Sequence, residues 1–372
     1  MTIEVQERTI TLPYSKLLLF KALLDQHQSE LAAIVTRENG KTLSESLGSV
    51  KRGIQMVDVA TGAPSLLMGQ SLEDISSGID CESVRQPVGV FACIAPFNFP
   101  AMVPMWFFPF AVACGNTFIC KPSEQVPFSQ KLVWELIHDA GFPPGVMNLV
   151  NGGRDCVSAI IDHEDIAGVS FVGSTPVAKI VYERCAATGK RVQALGGAKN
   201  FIFVMPDADM DLALDAITES AFGCAGERCL AASIVVPVGG CEAEVRKGLV
   251  ERMAAIRIGD GSEENVQMGP VISEPHKQRV IDYIGKGAQE GAELVVDGRK
   301  FDREPGYFVG PTLFCDVKPD MTIAKDEIFG PVLCMMPAAD LDEALSFSKQ
   351  QPLANASSIF TTSGKHARQF RY

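Results

Sequence analysis

Val88-Gly89-Val90-Phe91-Ala92-Cys93-Ile94-Ala95-Pro96-Phe97-Asn98-Phe99-Pro100 joins a continuous apolar run to a turn held between prolines. An apolar run without alternation suits a strand covered on both faces, as in a parallel sheet. Three further runs of this kind follow at 116–120, 145–150 and 168–172, and helical runs at 102–113, 129–140 and 156–161 separate them. Strands alternating with helices of this length predict a doubly wound α/β unit. Ligands of such sheets bind beyond the carboxyl ends of the strands. The turn at 95–100 is therefore placed to meet one.

Upstream, apolar residues recur at helical spacing over 17–37 and stop at Asn39-Gly40. A second helical segment covers 43–60, and 71–87 alternates loosely as an extended excursion, read as a hairpin. Downstream, 201–204 is read as closing the first unit, and a second α/β unit follows. Its strands fall at 233–237, 293–296 and 332–336, its helices at 242–255 and 275–290, with a last helix at 365–372. The division is therefore an α/β chain of two domains, 1–205 and 206–372.

With 372 residues, a net charge of −12 and 47% hydrophobic residues, the chain has material for two packed cores. The acidic balance argues against nucleic acid or an anionic membrane as partner. No apolar stretch matches a bilayer span, and 106–114 comes nearest. The opening residues 1–7 carry acids where a transit peptide avoids them, so a cytoplasmic protein is expected. Eleven cysteines form no C-x-x-C pair with histidines, so no metal is expected and the thiols are read as reduced.

Three strand-end motifs, a diglycine stretch and one loop carry the chemistry. Asn98 is either an amide donor preorganised by the flanking prolines or an asparagine that closes a turn. Cys120-Lys121-Pro122-Ser123-Glu124 sets a lysine and a carboxylate at the next strand end, where a lysine alone reads as a surface charge. Gly173-Ser174-Thr175 leads a strand into a helix and offers amides to a phosphate, or simply caps the helix. Gln193-Ala194-Leu195-Gly196-Gly197 brings backbone within reach of a ligand. Finally, Phe222-Gly223-Cys224-Ala225-Gly226-Glu227-Arg228-Cys229 ends in a cysteine preceded by arginine, which would lower the thiol's pKa. On this loop alone, Cys229 is equally a buried core thiol.

In this order and spacing the motifs resemble the aldehyde dehydrogenase superfamily, and the Gly-Glu-Arg-Cys loop resembles its methylmalonate-semialdehyde dehydrogenase branch. The resemblance implies an NAD-binding domain beside an α/β catalytic domain. It makes Cys229 the nucleophile, with Asn98 and the Cys229 N–H as the oxyanion hole. Ala95 and Phe97 would line the cofactor site, Lys121, Glu124 and Gln125 the adenosine ribose, and Ser174 the pyrophosphate. Gly196 would pass close to the nicotinamide, Glu327 would take its ribose, and Phe329 would pack beside the ring. Gln125 stands where the family often has a basic residue. Ala194 stands where most of the family carries the glutamate that activates water, so coenzyme A is the implied acyl acceptor. Arg52 and Arg228 would hold the substrate carboxylate.

The implied reaction is NAD-dependent oxidation of methylmalonate or malonate semialdehyde to propionyl-CoA or acetyl-CoA. The residues leave open two rivals, a hydrolytic aldehyde dehydrogenase of other specificity and an inactive NAD-binding fragment. The segment 71–87 would be an oligomerisation arm of a homotetramer. Family chains run further at both ends, so the resemblance, covering about 17–372, implies a chain shortened at each terminus.

Overall fold

The structure, a computed structural model, describes residues 11–372 except 302. The expectation drawn from residues 1–7 lies outside the described residues. The chain divides into two compact units, one holding residues up to Glu38 together with Ser46–Gly196, the other Asn39–Glu45 with Gly197–Tyr372.

The first unit contains helices α1 (Thr11–Gln26), α2 (Gln28–Asn39) up to Glu38, α3 (Leu43–Ala60) from Ser46 and α4 (Ala63–Leu66); the last residue of α2 and the first three of α3 count with the second unit. A hairpin of β1 (Gln70–Ser76) and β2 (Ile79–Ser83) comes next. The rest is β3 (Val90–Ile94), α5 (Phe108–Ala113), β4 (Thr117–Lys121), α6 (Phe128–Asp139), β5 (Met147–Leu149), α7 (Arg154–Asp162), β6 (Ile166–Val172), α8 (Thr175–Ala187) and β7 (Arg191–Leu195). Strands β3 to β7 form a parallel sheet in the order β5-β4-β3-β6-β7. The quoted stretch supplies its central strand, and Ala92, Cys93 and Ile94 are buried there. The apolar 17–37 segment is two helices meeting at His27, and both contribute to the core through Leu17, Phe20, Leu24 and Leu31. The helix expected at 102–113 begins instead as a 3-10 turn, Pro104–Trp106, before α5. Pro104 and Pro109 have no N–H to extend a longer helix upstream. The hairpin at 70–83 is antiparallel, as expected, and exposed along both strands.

The second unit runs β8 (Asn200–Val204), α9 (Met210–Phe222), β9 (Ala232–Pro237), α10 (Glu242–Ala255), α11 (Glu274–Gln289), β10 (Glu293–Val296), β11 (Thr312–Cys315), α12 (Thr322–Lys325), β12 (Val332–Met335), α13 (Leu341–Lys349), β13 (Ser357–Phe360) and α14 (Gly364–Arg371). Its sheet has the order β10-β11-β12-β9-β8-β13. Here one expectation fails. Residues 201–204 do not close the first sheet; β8 pairs in parallel with β9 and β13 and is buried throughout. The boundary therefore falls between Gly196 and Gly197 and not after residue 205. An all-apolar strand declares its burial but not which sheet buries it.

Candidate functional site

In the first unit, neighbouring parallel strands β4, β3 and β6 bring their carboxyl ends to one edge. The Ala95 N–H donates to the Lys121 carbonyl (2.9 Å), joining two of the motifs directly. Ala95 and Asn98 are buried and Phe97 is half-buried. The turn that follows is braced by Gln130 Nε2, which donates to the Pro100 carbonyl at 2.6 Å.

Lys121 is not a surface charge. Its side chain is 4% exposed, and Nζ donates to Glu124 Oε2 at 3.0 Å, while Glu124 itself is 61% exposed. Burial works against the Glu124 carboxylate, yet its own backbone N–H and the Lys121 ammonium hold the carboxyl below its ordinary value. The result is an ionised acceptor facing outward on a buried lysine. Gln125 is exposed beside it and gives its N–H to Ser123 Oγ (3.3 Å).

Ser174 is the N-cap of α8 with extended backbone, and its side chain makes no capping bond. The start of that 13-residue helix therefore presents its dipole without a hydroxyl cap from Ser174. Gly196 lies against it: a Cβ there would sit 3.3 Å from Thr175 Oγ1 and 3.4 Å from Thr175 Cα. That close approach is what the glycine permits. On β7, Val192 and Ala194 pack onto the core of this unit. Arg191, Gln193 and Leu195 on the other face of the strand are exposed. Ala194, expected where a water-activating glutamate would stand, carries no carboxylate, and neither do its neighbours Gln193 and Leu195. Arg52 is exposed on α3 and contacts Gln55 Oε1 at 3.4 Å.

In the second unit, α9 delivers the cysteine loop. Asp209 caps this helix by accepting the Leu212 N–H (3.1 Å). Past Phe222 the chain enters left-handed backbone at Cys224 (φ 50°), Ala225 (φ 52°) and Gly226 (φ 72°). Non-glycine residues in such conformations each cost about 1–3 kcal/mol and persist only where surroundings impose them. Gly226 has a separate reason, since a Cβ there would lie 2.2 Å from the Gly330 carbonyl oxygen.

What imposes the loop is Glu45. Its Oε1 accepts from the Cys224 N–H (2.6 Å) and from Arg228 Nη2 (2.8 Å). Its Oε2 accepts from the Thr42 N–H (2.9 Å), and the Glu45 N–H returns to Thr42 Oγ1 (3.3 Å), forming the capping box that starts α3. Arg228 also donates through Nε to Cys224 Sγ (3.2 Å) and through Nη1 to the Glu219 carbonyl (3.4 Å). This corrects the sequence reading: the Arg228 cation faces Cys224 and not Cys229. The Cys229 thiol is instead pushed above its ordinary value, first by burial and further by Glu327, against its own N–H and that of Leu230. The Cys229 carbonyl is fixed by Asn200 Nδ2 (2.9 Å) and Asn355 Nδ2 (3.1 Å).

The 326–330 loop lines a cleft together with Ala198, Asn200 and Arg228. Glu327 Oε1 accepts the Ala198 N–H (2.9 Å), and buried Lys199 gives Nζ to the Asp326 carbonyl (2.8 Å). Burial raises the Glu327 carboxyl, and the Ala198 amide, Lys199 and Arg279 oppose it. Glu227, 2% exposed, accepts the Ile272 N–H (3.0 Å), and burial pushes its carboxyl up to about 8. Sequence reasoning gave no role to Glu45, Lys199, Asn200, Glu227 or Asn355. Only Thr42-x-x-Glu45 left a local signature.

The sequence model of the aldehyde dehydrogenase family matches residues 8–372. The chain belongs to the aldehyde dehydrogenase family. It is 53% identical over 354 residues to malonate-semialdehyde dehydrogenase 1 of Geobacillus kaustophilus, spanning 95% of this chain and 72% of that protein. Among solved structures it resembles methylmalonate-semialdehyde dehydrogenase from Oceanimonas doudoroffii (TM-score 0.96, 42% identity, 98% of this chain and 76% of that one). It also resembles the NAD+ complex of an aldehyde dehydrogenase from Bacillus cereus (TM-score 0.95, 31% identity, 100% and 75%). The aldehyde dehydrogenase-like α/β fold expected from the motifs is thereby established. Among the described residues no helix is long and apolar enough to cross a membrane.

Proposed function

We propose that this aldehyde dehydrogenase oxidises malonate or methylmalonate semialdehyde with NAD and passes the acyl group to coenzyme A. The observation that carries the acyl-transfer part is the end of β7. Ala194 and Leu195 offer no general base to activate water, so a thioester on Cys229 would await a thiol acceptor. Similarity to the semialdehyde dehydrogenases above supports the substrate class.

The first unit fits a dinucleotide. Glu124 and Lys121, with Gln125 alongside, would take the adenosine ribose hydroxyls, and a carboxylate there favours NAD over a 2′-phosphate. Ser174 and the start of α8 would take the pyrophosphate, with Ala95 and Phe97 along the strand ends. In the second unit, Glu327 and Phe329 would hold the nicotinamide end. NAD, when bound, supplies the hydride acceptor.

Cys229, deprotonated, forms a bond to the aldehyde carbon, and Asn98 and the Cys229 N–H are assigned to the developing oxyanion. After hydride loss the acyl group remains on Cys229 as a thioester. The β-carboxylate leaves as carbon dioxide (hydrated to bicarbonate), the electrons of the broken C–C bond forming the thioester enolate, whose α-carbon takes a proton from water. The coenzyme A thiolate then takes the acyl group and Cys229 leaves as thiolate. Arg228, whose longest bond is the one to Glu219, would turn Nη1 to the substrate carboxylate, and exposed Arg52 carries the same assignment. The exposed hairpin, with Leu72, Ile75 and Ile79 on its surface, is assigned as the arm of a homo-oligomer.

The test is NADH formation with and without coenzyme A. Without it, about one NADH should form per Cys229 and then stop. Sustained turnover to a free acid would refute acyl transfer.

A further inference from the structure

None of the motifs that locate the chemistry includes a residue of α11, yet one face of that helix grips the loop proposed to hold the nicotinamide. His276, Arg279 and Tyr283 recur at three and four residues, so they share a face. Tyr283 Oη donates to Asp326 Oδ2 (3.0 Å) and Arg279 Nη2 to the Glu327 carbonyl (2.9 Å). His276 Nε2 lies 2.6 Å from the Phe329 carbonyl. Phe329 has φ of 61°, a conformation an aromatic residue keeps only when its neighbours impose it. The imidazole also meets the Phe329 ring edge-on, with centroids 6.3 Å apart and planes at 75°. Its Nε2 lies 3.4 Å from Glu227 Oε1, in the cysteine loop two residues before Cys229.

We propose that His276 is a positioning residue: its Nε2–H holds Phe329 in the left-handed backbone and ties the 326–330 loop to the cysteine loop through Glu227. The carbonyl can only accept, so Nε2 carries the proton. Burial lowers the imidazole's pKa and Arg279 adds to this, while the Phe329 carbonyl opposes. Burial thus favours the neutral imidazole, and it pushes the neighbouring Glu227 carboxyl up in the same way. The catalytic consequence rests on the reading above that Phe329 packs beside the nicotinamide. The grip on the loop does not.

The test compares His276→Phe, which keeps an aromatic ring and loses the donor, with His276→Gln, whose amide N–H can replace Nε2–H. His276→Ala, which inserts no bulk, gives the same comparison on a second background. Hydrogen exchange of the 326–330 amides in the protein without cofactor should quicken about tenfold in the Phe and Ala variants, equivalent to about 1.4 kcal/mol. In His276→Gln it should stay within about twofold. Single-turnover NADH formation should fall about tenfold in the Phe and Ala variants, recover in the Gln variant, and leave the NAD dissociation constant within about threefold. Unchanged exchange in Phe and Ala, or a Gln variant that behaves like them, would overturn the inference. An unmutated protein that binds NAD and forms no NADH would overturn the proposed function instead, and the exchange comparison would still decide whether His276 holds the loop.

Discussion

Replacing Glu45 by alanine removes one carboxylate that serves two structures in the second unit. Oε1 holds the Cys224 amide and the Arg228 guanidinium, and Oε2 closes the capping box on Thr42. The Arg228–Glu45 pair is mostly buried, with side chains 23% and 14% exposed. Losing the charge-assisted bond to Arg228 costs about 1.5–3 kcal/mol, and leaving the Cys224 amide without its acceptor about 1–3 more. Only the reciprocal half of the capping box goes, since Thr42 Oγ1 still accepts the N–H of residue 45, so this adds less than about 1 kcal/mol. These losses overlap, because they share one side chain, and breaking a buried pair from one side typically costs about 3–5 kcal/mol in all. Glu45→Ala should therefore destabilise by about 3–5 kcal/mol in urea denaturation followed by circular dichroism. Glu45→Gln keeps an acceptor oxygen and the shape, so it should lose about half as much. A cost below about 1 kcal/mol for alanine would refute the argument, as would a glutamine variant no better than alanine.

Glu124→Gln should narrow the preference for NAD over NADP by roughly 5–30-fold in titration calorimetry, since a single exposed charge facing a phosphate is worth about 1–2 kcal/mol; an unmutated chain that binds NADP more tightly would contradict the assignment. Burial disfavours the Cys229 thiolate and so raises its pKa. Iodoacetamide labelling of Cys229 should accordingly keep rising about tenfold per pH unit from 7 past the free-thiol value of about 8.5, and a plateau near pH 7 would show a cation acting on the thiol. Cys224→Ala should retain turnover within a few-fold but lose about 1 kcal/mol of stability as Arg228 Nε forfeits its sulfur acceptor, with denaturation and NADH assays reading the two separately.

Where burial is periodic the fold could be read from the residues, and α3, α10 and β10 have the expected bounds. What escaped is short or contextual. Strand β13 has only four residues, half of them exposed, at a sheet edge, and β7 alternates too weakly to separate from its motif. The assignment of β8 to the second sheet depends on partners at 232–237 and 357–360, which no local pattern names. The site divides in the same way. Lys121, Glu124 and Ser174 could be placed at strand ends from the residues, but not the burial of Lys121, which alone read as a surface charge. The partner of Arg228 could not, because Glu45 is 183 residues away, and adjacency in sequence suggested Cys229 when the guanidinium reaches back to Cys224. A strained residue such as Phe329 shows its support only in three dimensions.

The central claim is that Cys229 carries the acyl group, and the most direct measurement is mass spectrometry of the protein mixed with NAD and malonate semialdehyde in the absence of coenzyme A. An acyl adduct should appear on the peptide containing Cys229, in step with the NADH burst, and disappear on adding coenzyme A as acyl-CoA forms. An adduct on Cys224, or a burst of NADH with Cys229 unmodified throughout, would contradict it.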